Sequence, residues 1–446
     1  MTWLALFAAP AGTVVALLLR EPSQSGARAL VLACAVLACA VVVVGEWRPR
    51  RLRPWMVVAA CTVPLSVAVA LAPQGSRDLW GYAAYGRVLV TYHESPYVHP
   101  PSEHGDPVID RMPVEWRHTR APYGPAFLAV AAAPSALGAR SALATRLWFQ
   151  GLAALAAGLG LLLLTRRGAG PGRLAVLALN PLVAVFVVNG GHNDLLVGVP
   201  VLAAVLAAER RRWVLAGAAL GLAASVKVVG LLPLVVLVVW VWRRHRRPAW
   251  AVLGTAAGVL AATYAVAGGR AALAPLGAEA AQQSRASLWE AVCAWVLRSP
   301  RWFSGPSSGG LVHHWAPYAV AAVGAAAVVL VGSGRFGAGT QVSLGLLAYL
   351  LAAPYVLPWY LGWVLPVLAL GEDGLSAAVG SGYAALLLLV YTDGAGYTGA
   401  AHLVLHTMAW LVAPVLELAA LAAVLAVLTR ARRRDLALVE IRSDSS

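Results

Sequence analysis

Charge is what this chain has least of. Only 12% of its 446 residues are Asp, Glu, Lys or Arg, while 60% are hydrophobic. A water-soluble chain carries roughly 25% charged residues, so a soluble fold is excluded. An all-α polytopic integral membrane protein is the class that remains. Lysine is almost absent, with Lys227 the single one among 34 basic residues. Four cysteines give no disulfide framework, because Cys34, Cys39 and Cys61 fall in apolar runs and only Cys293 in a loop. There is no Walker motif, no ATP-binding cassette, no second domain and no internal repeat.

What the chain does have is a succession of apolar runs. They fall near 3–19, 29–45, 55–72, 145–164, 174–190, 194–208, 213–225, 229–242, 249–267, 315–331, 339–353, 358–370, 376–391 and 403–429. Each is a candidate crossing, giving about fourteen spans. The run at 124–137, with Pro125 and Pro134, is too short to cross and reads as re-entrant or interfacial. The first run has no cleavage site and is followed by further spans, so it reads as an anchor rather than a signal peptide.

The net charge of +15 comes from arginine clusters set between these runs: 47–53, 165–173, 209–212, 243–247 and 430–434. That is the pattern of cytoplasmic loops under the positive-inside rule, not of a nucleic-acid surface. It divides the chain into N-terminal spans (1–75), a first external loop (76–125), central spans (126–267), a second external loop (268–314), C-terminal spans (315–434) and a cytoplasmic tail (435–446). Both termini then lie inside, in the plasma membrane. Glu279 to Leu297 mixes apolar and polar residues at helical spacing, which predicts a helix lying on the membrane surface. The tail after Arg434 is expected to fray.

Polar chemistry concentrates in the external stretches. Arg77 and Asp78 open the first loop, and on a helix Asp78, Tyr82 and Tyr85 share one face. A carboxylate flanked by aromatics at a membrane surface can take a proton from a sugar hydroxyl. It can equally be a helix N-cap beside an aromatic belt. Ser95-Pro96-Tyr97 and Pro122-Tyr123-Gly124-Pro125 are rigid turns that bracket the loop. Tyr123 offers a stacking face suited to a pyranose, although loop scaffolding explains both turns as well.

Asn189-Gly190-Gly191-His192-Asn193-Asp194 forms a second polar knot at the external end of a span. Its residues could meet a ligand or cap a helix. One His and one Asp make an incomplete metal set, so no metal is expected there. Lys227, within Ser225-Val226-Lys227, needs a partner near the membrane, and a lipid phosphate is one that suits it. Snorkelling to the headgroups is the alternative. His313 and His314 precede a later span; adjacent histidines on a helix diverge, but either could meet a phosphate or a sugar hydroxyl.

With these residues in view, the chain resembles the polyprenol-phosphate-mannose-dependent mannosyltransferases, in particular the actinobacterial α-1,6-mannosyltransferases of lipomannan assembly. SRDLWGYAAYGRVLV (76–90), SPY, APYGP, NPLVAVFVVNGGHNDLLVG (180–198), AASVKVVGLLP (223–233) and LPWYLGW (357–363) follow in that family's order, over roughly residues 76–370. The resemblance implies a glycosyltransferase C-type helical core with its site in the external loops. It implies a polyprenyl-phosphate sugar donor, a glycan or glycolipid acceptor outside the cytoplasm, no cofactor, and Asp78 as the base. The sequence differs from the family in having only three spans before the loop.

On that reading an inverting transferase would form an α-linkage, with Lys227 and Arg77, Arg120 or His192 meeting the donor phosphate. Tyr82, Tyr85, Tyr123, Asn193, Asp194, His313 and His314 would contact substrate. A transporter or flippase of lipid-linked envelope glycans is the competing class. A transporter would concentrate ionisable residues at the bilayer midplane; a flippase would share the phosphate site and form no glycosidic bond.

Overall fold

The computed structural model describes residues 1–47, 51–137, 141–277, 284, 287–289, 318, 322, 324, 336–371, 374–392 and 407–443. These residues form helices and turns, with no strand among them. Four helical stretches are long and apolar enough to cross a membrane: Ser25–Gly45, Ala142–Arg166, Pro171–Val188 and Arg246–Val266. Several other apolar helices are shorter, so the structure does not establish about fourteen crossings.

The chain opens with α1 (Thr2–Leu18) and α2 (Ser25–Gly45), which pack together, and α3 (Pro54–Ala70), which packs on α1. The outward faces carry Leu4, Phe7, Leu30, Leu37, Val44 and Trp55 in the open. Such a surface would aggregate in water and suits hydrocarbon. Next come α4 (Asp78–Val90) and α5 (Pro125–Ala136), which pair closely, and α6 (Ala142–Arg166). Proline at the first position of α3 and α5 supplies a helix start without wasting an N–H. Ser141 caps α6, its hydroxyl accepting from the Ala144 N–H at 3.1 Å.

The run expected at 174–190 is not one regular helix. It divides into α7 (Pro171–Ala178) and a wide π turn, Val183–Val188. Pro181 has no N–H to continue the ladder, and Asn180 Oδ1 instead accepts from the Leu182 N–H at 3.1 Å. This broken element is buried over 94% of its length, whereas Arg246–Val266 is buried over 17%. The first is therefore the bundle's axis and the second faces outward. Against this axis pack α2, α3 and α6. Next along the chain come α8 (Leu195–Glu209), α9 (Trp213–Val226), α10 (Leu231–Trp242) and α11 (Arg246–Val266), with α9 packed on both α8 and α11. Later elements are α12 (Ala338–Ala352), α13 (Leu365–Leu368), α14 (Gly374–Val390) and α15 (Ala413–Ser443).

Two sequence expectations are corrected. The run at 358–370 is a tight 3₁₀ turn, Pro358–Trp363, followed by the single turn of α13. Pro358 and Pro366 interrupt it, and its residues are buried in the core. The segment after Arg434 continues α15 to Ser443 instead of fraying at once. The expected surface helix at 279–297 lies almost wholly outside the described residues, as do the run at 315–331, Cys293, His313 and His314.

The α4–α5 contact depends on Gly86. A Cβ there would overlap the Ala131 carbonyl oxygen of α5, which is backbone and cannot swing aside. Gly86→Ala is expected to cost about 3 kcal/mol, read as a lowered thermal midpoint in detergent; an unchanged midpoint would refute this packing.

Candidate functional site

α4 sets the site. Arg77 occupies its cap position and Asp78 its first helical residue, so the Asp78 carboxylate is not the N-cap group that the sequence allowed. The Ser76 hydroxyl accepts from the Asp78 N–H at 3.1 Å. From this start Asp78, Tyr82 and Tyr85 project from one face into a cavity of about 510 Å³. The opposite wall is the loop before α5, with Trp116, His118, Thr119, Arg120 and Tyr123. The floor is Lys227 together with Tyr355, Trp359 and Tyr360.

The wall is tied down at several points. Tyr97 donates to the Tyr123 carbonyl at 2.9 Å, and the Ala121 N–H to the Pro96 carbonyl at 2.9 Å, so the two Pro-Tyr turns are joined. The Tyr85 hydroxyl meets Thr119 Oγ1 at 3.0 Å. Gly124 donates to the Val226 carbonyl at 3.0 Å, which brings the loop's end beside Lys227. Gly124 can be only glycine here, because a Cβ would enter the Ser225 backbone.

Behind Asp78 lies His192, its side chain fully buried. Its Nδ1 is 3.3 Å from the Tyr82 hydroxyl and 3.8 Å from Asp78 Oδ2. Its ring stacks on Trp359 at 3.8 Å. Burial, then the neighbouring Lys227 charge, holds its pKa well below the ordinary 6.5, so the imidazole is neutral. Burial likewise keeps the Tyr82 hydroxyl protonated.

His192 lies in the turn between helices, and the sign of its linkage to folding is clear. Its folded pKa is depressed, so the unfolded chain binds the proton first as pH falls. Stability is complete above the ordinary value of 6.5 and is lost as pH drops from there towards the depressed folded value. The thermal midpoint is expected to fall between pH 7.5 and 5.5, with a shallower slope in His192→Gln. Equal slopes for the two proteins would contradict the assignment.

Lys227 ends α9, where its extended backbone (φ −151°, ψ 135°) breaks the helix. Its ammonium is 3.2 Å from Asp194 Oδ1 and sits over Tyr360 at 4.4 Å, Trp363 at 5.2 Å and Tyr123 at 5.8 Å. The partner that the sequence demanded for this lysine is therefore supplied within the chain. Asp194 is completely buried, and burial pushes its pKa up against the pull of Lys227.

The remaining expected site residues divide. Arg120 is exposed at the cavity mouth, with no hydrogen bond or ion pair among the described residues. Arg77 turns away: its guanidinium donates to the Arg111 carbonyl at 2.6 Å and lines a separate cavity with Arg146 and Trp80. Asn193 is buried beside the site, and neither its amide nitrogen nor its oxygen has a hydrogen-bond partner among the described residues. Asn189 works structurally, its amide donating to the Ala68 carbonyl at 2.9 Å and its oxygen accepting from Gln74 at 2.8 Å. Gln150 and Arg146 also bind the free carbonyls at the end of α3.

Trp116, His118 and Thr119 carry no signal of their own in the sequence. Pro354-Tyr355 and Pro358-Trp359-Tyr360 read from the sequence as aromatic, proline-rich membrane-surface motifs rather than as site residues, and the structure sets Tyr355, Trp359 and Tyr360 on the cavity.

The family model for alpha-(1->6)-mannopyranosyltransferase, N-terminal domain, matches residues 3–244. Alpha-(1->6)-mannopyranosyltransferase A of Mycobacterium tuberculosis (strain ATCC 25618 / H37Rv) is 28% identical over 361 residues. That alignment covers 74% of this chain and 66% of the relative, so the chain spans just under two thirds of the relative's length. No solved structure matches significantly.

Proposed function

The chain belongs to the alpha-(1->6)-mannopyranosyltransferase family, and from that premise we infer that it is an inverting mannosyltransferase of a cell-envelope membrane, with a polyprenyl-phosphate donor. The observation that carries this reading is the Asp78 carboxylate, 30% exposed on the wall of an aromatic cavity whose mouth holds Arg120. Aromatic faces such as Trp116 and Tyr123 suit the C–H faces of a pyranose.

Asp78 takes the proton of the acceptor hydroxyl. That oxygen attacks the anomeric carbon from the side opposite the phosphate, the new glycosidic bond forms, and the bond from that carbon to the phosphate oxygen breaks. A β-linked donor then gives an α-linked product. Charge builds on the leaving phosphate, where a fixed cation lowers the barrier. Arg120 is the group suited to meet it, because the Lys227 ammonium is already held by Asp194. Lys227 contributes its field from the cavity floor, while His192 and Tyr82, both uncharged, back the carboxylate. The cavity would open to the extracytoplasmic face, where donor lipid and glycan acceptor meet.

The test is transfer from polyprenyl-phosphate-mannose to a short mannoside acceptor by the purified chain in detergent or liposomes. An α-linked product is expected. No product from mannosyl or other hexosyl donors, with lipid translocation observed instead, would replace this reading with the flippase class.

A further inference from the structure

The loop between α4 and α5 carries a second group of ligating side chains, none of which lines the cavity. Beyond the end of α4 the Glu94 N–H donates back to the Val88 carbonyl, six residues earlier, at 3.1 Å. The residue before Glu94 is His93, at φ 56° in the left-handed region that favours glycine. A non-glycine residue there is costly, and such costs gather at functional positions. Its effect is to turn Glu94 back towards His99, Glu103 and His104.

Ligand atoms of Glu94, His99 and Glu103 lie within 4.8 Å of one another. His99 Nδ1 is 2.8 Å from Glu103 Oε2 and 3.6 Å from Glu94 Oε2, and His104 Nε2 is 3.2 Å from the same Glu94 oxygen. Four donors around a tetrahedral zinc ion at ~2.0–2.1 Å stand about 3.3 Å apart; these three contacts lie around that value, and His104 joins the group of three through Glu94. Glu94 Oε2 and His104 Nε2 are both buried, and neither makes an aligned hydrogen bond among the described residues despite their proximity. A shared cation would satisfy both.

We propose that Glu94, His99, Glu103 and His104 form a binding site for one divalent transition-metal ion of the zinc type. Two imidazoles with two carboxylates favour such an ion over Mg²⁺ or Ca²⁺, which prefer all-oxygen sets. The outer support is present. Tyr92 stacks on His104 at 4.0 Å and donates to Asp106 Oδ2 at 3.2 Å, and Arg87 of α4 holds that carboxylate at 2.6 Å. Such outer partners fix the orientation of a ligating ring. The His99 and Glu103 side chains are 41% and 50% exposed, so an ion can enter from solvent. The Ser102 N–H donates to the Arg117 carbonyl at 2.9 Å, which links the cluster to the half of the loop that walls the cavity. The ion would staple this wall to the end of α4.

The test uses the full chain in detergent, purified without a histidine tag and stripped with chelator, then dialysed against Zn²⁺ or Co²⁺ with excess Mg²⁺. One equivalent of Zn²⁺ per chain is expected, together with the visible absorption of tetrahedral Co²⁺. Both are expected to vanish in the double variant His99→Ala/His104→Ala. Tyr92→Leu keeps all four ligands and is expected to weaken binding about tenfold. A wild-type chain without the Co²⁺ band overturns the proposal whatever the variants do. Zn²⁺ retained in full by the double variant, or displaced by Mg²⁺, overturns it as well. Should the double variant fail to fold, Glu103→Gln, on an exposed side chain, takes its place with loss of binding expected.

Discussion

Asp78→Asn is expected to lower transfer about 1,000-fold while the protein stays folded. The substitution preserves shape and removes the negative charge together with the ability to accept a proton. Asp78 is the first residue of α4, where the helix dipole favours a negative charge, so losing that charge costs about 0.3–1 kcal/mol. The carboxylate is partly exposed and meets the buried His192 Nδ1 at 3.8 Å, a contact the asparagine amide can still make. A fall in activity with an almost unchanged thermal midpoint therefore separates chemistry from folding.

The kinetic form of the loss matters as much as its size. A base acts in the transition state, so kcat and kcat/KM should fall together while KM for donor stays near wild type. A carboxylate that only positions the sugar would raise KM instead. Wild-type transfer by Asp78→Asn would remove Asp78 as the base and direct attention to His118, which lines the same cavity.

Much of this site was legible because helical spacing is a local property. Asp78, Tyr82 and Tyr85 needed only α4 to share a face, and α4 formed over that stretch. The need of Lys227 for a partner was equally legible, since one buried cation cannot stand alone. The identity of that partner was not. Asp194 and Lys227 are brought together only by the packing of α8 on α9, which no local pattern encodes.

Trp359 and Tyr360 were legible as a membrane-surface motif but not as cavity lining, for a different reason. An apolar run thirteen residues long reads alike as a short span or as a buried turn, and only the prolines at 358 and 366 decide. Likewise Pro181 was a visible break within the expected span at 174–190, but hydropathy alone averages over it. Crossing count is the weakest part of such a reading, because it treats every apolar run as lipid-facing when several lie inside the protein.

The Lys227–Asp194 pair gives the largest expected effect on stability. Its two side chains are 8% and 0% exposed, so removing either partner strands a charge away from water, at a cost of about 3–5 kcal/mol. The two single variants should differ. Asp194→Asn leaves the ammonium among Tyr360, Trp363 and Tyr123, whose faces still attract it, so its loss should sit at the low end. Lys227→Met leaves a carboxylate with no counter-charge, and its loss should depend on pH. Burial already raises the Asp194 pKa in the folded chain, and losing Lys227 removes the opposing pull. A raised folded pKa gives stability that is present at low pH and lost as pH rises through that value. The gap between wild type and Lys227→Met should therefore narrow as pH falls from 8 to 5. Because His192 titrates in both proteins, the gap is the quantity to read, rather than either midpoint. Combining Lys227→Met with Asp194→Asn should recover about 2 kcal/mol relative to the sum of the singles, the mark of direct coupling. Transfer should stay low in the double variant, since the ammonium faces the cavity as well as Asp194. Additive losses would mean that the pair does not hold the site together, and full recovery of transfer would confine Lys227 to a structural role.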